Sequence, residues 1–202
     1  MIPFKQYIAE ADSKSLIVVD VQPVYTHLMQ DEVNAITEFI NTKAERVLAY
    51  FNGQDAGETD TLEDVKQWYL DNGLEEESLA KINFQEKTYA YLRGWMDDVE
   101  ERDIIKVVRY MVTNRIQQSD QIGNSAIVEL LGIDVASEVD DIDPIYIPDI
   151  DLSLLKQYNK SYMGGGSRHE CLKEITIMMN AFNIKYKLIK DFIYDTSKRK
   201  ER

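Results

Sequence analysis

Cys171 is the only cysteine in 202 residues, and it stands where a thiol can be made reactive. The stretch Lys160-Ser-Tyr-Met-Gly-Gly-Gly-Ser-Arg-His-Glu-Cys171-Leu-Lys-Glu-Ile reads as a short strand (Ser161 to Met163), three glycines, and a helix opening at about Arg168. Leu172, Ile175, Met179 and Phe182 recur every three or four residues, so that face of the helix turns inward. Glycines at a strand-to-helix turn let the backbone bend tightly and approach a ligand. A helix N-terminus presents unpaired N–H groups and a partial positive charge, which favour an anion. A cysteine there has its thiolate stabilised, and the thiolate is the nucleophile. The same features have a plainer use. A lone cysteine in an apolar helix is commonly a small buried hydrophobe, and the glycines could hold a phosphate or only make a turn.

Two further residues with chemistry to offer close apolar runs. Ser15-Leu-Ile-Val-Val-Asp20 is β-branched and unbroken, the mark of a central parallel strand buried on both faces. A carboxylate at its C-terminal end lies where open α/β sheets place their sites; the alternative is a cap on the loop of Gln22, Pro23 and Tyr25. Ile82-Asn-Phe-Gln-Glu-Lys87 alternates and reads as a strand ending on a lysine. Tyr89, Tyr91, Trp95 and Met96 follow, around Arg93-Gly94. Such a cluster is either core or domain edge, or the lining of a pocket.

These residues need elements to position them. Pro3 to Ala11 reads as a short amphipathic helix, and Val33 to Thr42 as a second, with Ala35, Ile36, Phe39 and Ile40 inward. Arg46 to Phe51 is a strand, followed by the turn Asn52-Gly53. Leu62, Val65, Trp68 and Tyr69 define a helix stopped near Asn72-Gly73, and Glu75 to Glu77 a solvated acidic face. Ile104 to Met111 reads as a helix with Ile105, Val108 and Met111 in one stripe. Residues 113–151 are the least regular, with one helix expected from Ser125 to Leu131. Asp141 and Asp143 lack the glycine-centred ligand pattern of a calcium loop, so that segment reads as solvated. Leu152 to Tyr158 is a short helix, Lys185 to Ile189 a last strand, and Ser197 to Arg202 a charged tail. Strands alternating with helices predict an α/β fold: a three-layer Rossmann-like sandwich, a mostly parallel sheet with helices on both faces.

At 202 residues the chain fits a single domain. A net charge of −13 argues against nucleic acid or an anionic membrane as principal partner. One cysteine excludes an internal disulfide and suits a reducing compartment. No apolar run approaches the ~20 residues that span a bilayer, and Met1 to Ala11 carries charges where a secretory signal would be apolar. A cytoplasmic protein acting on a small molecule is expected, and a homo-oligomer is compatible with it. The leader Met-Ile-Pro-Phe-Lys-Gln-Tyr-Ile-Ala-Glu resembles that of tailed-phage proteins packaged inside the head, and Ile8-Ala9-Glu10 looks like a maturation-protease site. That resemblance implies host cytoplasm or virion; a plain N-terminal helix is the other reading.

Leu16-Ile-Val-Val-Asp20-Val-Gln22, Glu86-Lys87-Thr-Tyr-Ala-Tyr91-Leu-Arg-Gly94 and Tyr162-Met-Gly-Gly-Gly-Ser-Arg-His-Glu-Cys171-Leu together resemble the isochorismatase-like cysteine hydrolases, a family that includes nicotinamidases and N-carbamoyl amidases. The resemblance covers strands one to five. It implies a catalytic triad of Asp20 as base, Lys87 as the charge favouring the thiolate, and Cys171 as nucleophile, with no cofactor. Gln22, Tyr91, Trp95, Gly166, Arg168 and His169 would then contact the substrate, Arg168 suiting an anionic group. The sequence departs from the family in having Arg168 where a threonine is usual and Leu172 where a valine is. Residues 113–151 stand as an insertion, expected to narrow the pocket or build a subunit interface. Phe51-Asn-Gly-Gln-Asp-Ala-Gly holds no histidine where metal-binding nicotinamidases carry one, which implies no metal. Two other classes of function stay open: a small-ligand-binding or head-associated protein on the same fold, and a structural subunit.

Overall fold

Among the described residues, five strands form one sheet in the order β3-β2-β1-β4-β5, every pair parallel. The computed structural model describes residues 14–53, 60–87, 92–139, 142–147 and 150–194. The expected N-terminal helix and charged tail lie outside the described residues. The strands are β1 (Ser15–Val19), β2 (Arg46–Asn52), β3 (Ile82–Lys87), β4 (Ser161–Gly165) and β5 (Tyr186–Ile193). Leu16 and Val18 of β1, with Val47, Ala49 and Phe51 of β2, belong to one apolar cluster. The alternate set, Ile17, Val19, Leu48, Tyr50 and Met163, is buried as well. Burial of both sheet faces is what makes β1 and β2 unbroken apolar runs. It is the signature of the three-layer, Rossmann-like α/β class.

The chain divides into two compact units. Unit 1 comprises residues 1–88, 150–173 and 185–202 and holds the whole sheet. Its helices include α1 (Gln30–Thr42), α2 (Leu62–Asp71), α3 (Glu76–Leu79) and α8 (Leu152–Gln157). Helix α1 starts three residues before the expected Val33, and its first turn carries Asp31 and Glu32, which suit the positive end of a helix dipole. Val33, Ile36, Phe39 and Ile40 pack it into the cluster. Thr61 and Asp64 close a reciprocal capping box at the start of α2. Gly73, at φ +94°, follows its end in a conformation open to glycine. Asp151 caps α8, accepting from Ser153 N (2.8 Å) and Leu154 N (3.1 Å), and these bonds hold its carboxyl below the usual range.

Unit 2 comprises residues 89–149 and 174–184. It contains α4 (Arg93–Asp98), α5 (Glu101–Asn114), α6 (Asn124–Leu131) and α7 (Ile133–Val139), together with most of α9 (Cys171–Ala181). The buried stripe of α5 is Ile104, Val107, Val108 and Met111; Ile105, expected inside, is half-buried. The described residues within 113–151 are more ordered than the sequence suggests. They hold two helices, a 3-10 turn at Ser119–Gln121, and an antiparallel bridge from Gln118 to Tyr146. Helix α7 escapes a periodicity reading because Gly132, at φ +87°, separates it from α6 and leaves only seven residues.

Candidate functional site

The C-terminal ends of β1, β2 and β3 carry buried polar residues, and these bond to one another. The register pairs Asn52, last in β2, with Lys87, last in β3. Parallel partners project their side chains side by side, and the Lys87 ammonium donates to Asn52 Oδ1 at 2.8 Å. Its Nζ also lies 3.2 Å from Asp20 Oδ2, with both side chains 1% exposed. That contact is an ion pair whose geometry falls short of a hydrogen bond. Neither carboxylate oxygen of Asp20 accepts a hydrogen bond from the described residues.

Asp20 has φ +52°, unusual for a residue with a Cβ. Two bonds fix its backbone: its N–H donates to Tyr50 O (2.9 Å), and its carbonyl accepts from the Tyr194 hydroxyl (3.1 Å). The left-handed turn breaks the in–out alternation of β1 at the residue that leaves the strand. Tyr194, just past β5, is itself buried. Its phenol is raised well above the ordinary value, first by burial and then by the charges of Asp20 and Cys171. Its hydroxyl therefore bonds to the Asp20 main chain while lying within electrostatic reach of the thiol.

The glycines after Met163 are explained by close approach. A Cβ on Gly165 would come within 2.1 Å of Val19 O, and one on Gly164 within 2.3 Å of Phe192 Cβ. At Gly166 a Cβ would lie 3.0 Å from Asp20 Cβ and 3.3 Å from the Tyr194 hydroxyl. The main-chain N–H of Gly166 donates to Val19 O, so the glycine turn is tied down beside Asp20. The turn at 168–170 follows, and Cys171 opens α9 three residues later than expected, half-buried, as its first residue.

Asp20, Lys87 and Cys171 thus all fall in unit 1, the first two in direct contact. The expected substrate residues among those described belong to both units. Gln22 is fully buried and its amide is committed: Oε1 accepts from Asn52 N (2.8 Å), while Nε2 donates to Asn52 O (2.9 Å) and to Asp60 Oδ2 (2.9 Å). It clamps the end of β2 instead of presenting a group to a ligand. Gly166 is buried against Asp20, and Arg168 and His169 are exposed on the turn before Cys171. Tyr91 lies outside the described residues. Trp95 is in unit 2, where its indole donates to Asp143 O (3.2 Å) and it lines a cavity of about 260 Å³ with Ser119, Ile122, Ile127 and Pro144. Among the described residues, no group of three or more His, Cys, Asp or Glu side chains is arranged to hold a metal ion.

Asn52, Asp60 and Tyr194 were missed from the sequence. A signal existed for two of them: Asn52 ends β2 and Tyr194 follows β5, so each occupies the strand end that Asp20 and Lys87 occupy in theirs.

The strand order reverses between β1 and β4. The chain builds outward from β1 through β2 to β3, then returns to place β4 on the other side of β1. Open α/β sheets bind ligands beyond the strand ends at such a point. This defines the class as Rossmann-like α/β with polar strand ends at the switch point. Comparison with protein-family models, curated proteins and solved structures finds no match to this chain. Among the described residues no helix is long and apolar enough to cross a membrane.

Proposed function

We propose that unit 1 is a cysteine hydrolase of the isochorismatase-like kind, acting on a small amide or related non-peptide C–N bond. The observation that carries this reading is the buried Asp20–Lys87 ion pair at the switch point, its carboxylate accepting no hydrogen bond from the described residues. A fold seeking stability alone gains little from such a pair, since desolvation consumes most of the attraction. A hydrolase needs a carboxylate held open to receive a proton and a fixed cation beside a thiol. Cys171, at the start of an eleven-residue helix, supplies the thiol.

The steps follow from the residue types. Asp20 takes the Cys171 proton, and the thiolate attacks the carbonyl carbon to form a C–S bond. Charge developing on the carbonyl oxygen is met at the start of α9, since the N–H groups of Gly166, Arg168 and Glu170 in the turn already donate to Val19 O, Tyr194 O and Ser167 O; one such donor commonly contributes ~3 kcal/mol to barrier lowering. The C–N bond breaks, the amine leaves with the proton from Asp20, and a thioester remains. Water then gives its proton to Asp20 and its oxygen to the acyl carbon, which releases the acid and restores the thiol. Lys87 keeps its proton throughout and supplies charge. The chain's net charge of −13 disfavours polyanionic substrates, so the substrate is a small molecule, with exposed Arg168 available to one anionic group.

The test is the rate of Cys171 alkylation by iodoacetamide against pH, joined to ammonia release from a panel of small amides. We expect a midpoint below that of a free thiol, about 8.5. Turnover should vanish in Cys171→Ala and fall about 10²–10⁴-fold in Asp20→Asn. An alkylation midpoint at or above that of free cysteine overturns the reading and leaves a ligand-binding role on the same fold.

A further inference from the structure

We infer that Asn52 is a positioning residue, whose amide oxygen holds the Lys87 ammonium beside the Asp20 carboxylate. The inference rests on the hydrolase reading and extends it to a residue not in the triad. A lysine ammonium is a compact charge on a flexible four-carbon stem. Burial alone does not fix where it points. Asn52 Oδ1 accepts from Nζ at 2.8 Å, shorter than the 3.2 Å ion contact with Asp20. Of these two contacts, the closer and directed one is the bond to the neutral amide.

Asn52 is itself held from several sides. Its main-chain N–H and carbonyl both bond to the Gln22 side chain (2.8 and 2.9 Å), which mimics one more rung of the sheet beyond the end of β1. Gln22 is fixed in turn by Asp60 Oδ2, which also accepts from Val24 N (3.0 Å). The Asn52 Nδ2 group reaches the Tyr25 hydroxyl at 3.4 Å, so the amide is oriented with its oxygen towards Lys87. A chain of bonds thus runs from Asp60 through Gln22 and Asn52 to Lys87, with all four side chains buried.

A neutral acceptor suits this position. It orders the ammonium without cancelling its charge, and that charge is then available to a thiolate. An aspartate in the same volume would give Lys87 a second carboxylate and disfavour a further anion nearby.

Two near-isosteric variants separate charge, hydrogen bonding and packing. Asn52→Asp keeps an acceptor and adds a charge, and Asn52→Leu removes the acceptor and keeps volume. The measurement is the pH profile of Cys171 alkylation by iodoacetamide on the full chain, with folding checked by circular dichroism. We expect N52D to raise the midpoint by about one pH unit, as a nearby like charge does, and N52L to raise it by less. Asn52→Ser keeps a neutral oxygen and is expected to stay nearest the unsubstituted protein.

A depressed midpoint in the unsubstituted protein that N52D and N52L leave unmoved overturns the role of Asn52 alone. A midpoint at free cysteine in the unsubstituted protein overturns the hydrolase reading and this inference with it. Failure of all three variants to fold also overturns it, since a positioning role requires the fold to survive loss of the bond.

Discussion

The two units bury polar groups in different ways. In unit 1, Asp20, Gln22, Asn52, Asp60 and Lys87 gather at the ends of three strands and bond mainly to one another. In unit 2 the interior is apolar, built on Leu92, Ile104, Val107, Val108, Met111 and Ile145. Among the described residues its buried polar side chains, Asp103, Ser119, Glu174 and Thr176, are spread over three separate segments, and Glu174 Oε1 accepts from Leu92 N (3.5 Å). Ser119 Oγ accepts from Ile145 N (2.9 Å), and Asp103 pairs with Lys106, whose side chain is half exposed. Burying a charge is costly unless it is paired, and a pair rarely improves on apolar packing. A unit that concentrates such groups at one edge of its sheet is shaped by something other than stability, and that distinguishes unit 1 as the place to look for chemistry.

The largest test of this contrast removes half of the ion pair. Lys87→Met leaves Asp20 buried with no opposing charge, and we expect a loss of about 3–5 kcal/mol in urea unfolding. Adding Asp20→Leu to the same chain should recover most of that loss. If K87M costs no more than a surface substitution, the strand ends are wetter than their burial indicates and the contrast between the units fails.

Truncation within unit 2 gives the next largest effect. Ile104→Ala deletes fully buried apolar volume and is expected to cost about 3 kcal/mol. The pH profile of Cys171 alkylation should be unchanged in the folded protein. A shifted profile would mean that unit 2 does more than pack.

How much of this could be read beforehand differs by element. β1 was legible because burial on both faces leaves no polar residue between Leu16 and Val19. The position of Lys87 at a strand end was legible for a related reason, since β3 alternates up to it. The meeting of Asp20 with Lys87 came only through the family resemblance. No spacing encodes it: β1 and β3 are not neighbours in the sheet, and the contact depends on β2 lying between them. Asn-Gly is a strong turn signal, so the sequence makes Asn52 half of a turn, whereas the residue closes β2 in register with Lys87. The family resemblance implies Gln22 as a ligand contact, whereas its amide bonds to partners thirty and thirty-eight positions away. In unit 2 the helices exist where periodicity was visible, as in α5, and were missed where a seven-residue helix shows too little of it.

Tyr194 offers a smaller effect that sharpens the contrast from inside unit 1. Tyr194→Phe removes the donor to Asp20 O, and we expect a loss of about 1 kcal/mol near neutral pH. Because that bond holds Asp20 in its left-handed turn, Cys171 alkylation should also slow. A variant that loses stability but alkylates at the original rate and midpoint would make the hydroxyl a structural tie only.

The smallest effect concerns a buried polar group away from the strand ends. Tyr69 of α2 is fully buried, with its ring edge-on to Phe84 at 5.8 Å between centroids. Its hydroxyl has no hydrogen-bond partner among the described residues. A buried hydroxyl without a partner opposes folding, so Tyr69→Phe keeps the ring packing and removes the penalty. We expect it to be neutral or to stabilise by up to about 1 kcal/mol. Burial also raises the Tyr69 phenol above its ordinary value of 10.0. A group held above its unfolded value binds its proton more tightly when folded. Its contribution is intact below pH 10.0 and is lost as pH climbs from there towards the folded value. The Phe variant should therefore lose stability less steeply above that pH, as followed by thermal unfolding at a series of alkaline pH values. If Y69F instead destabilises by as much as Y194F and leaves the alkaline slope unchanged, its hydroxyl is bonded in solution. Polar burial in unit 1 would then extend well beyond the strand ends, and the edge of the sheet would lose its special standing.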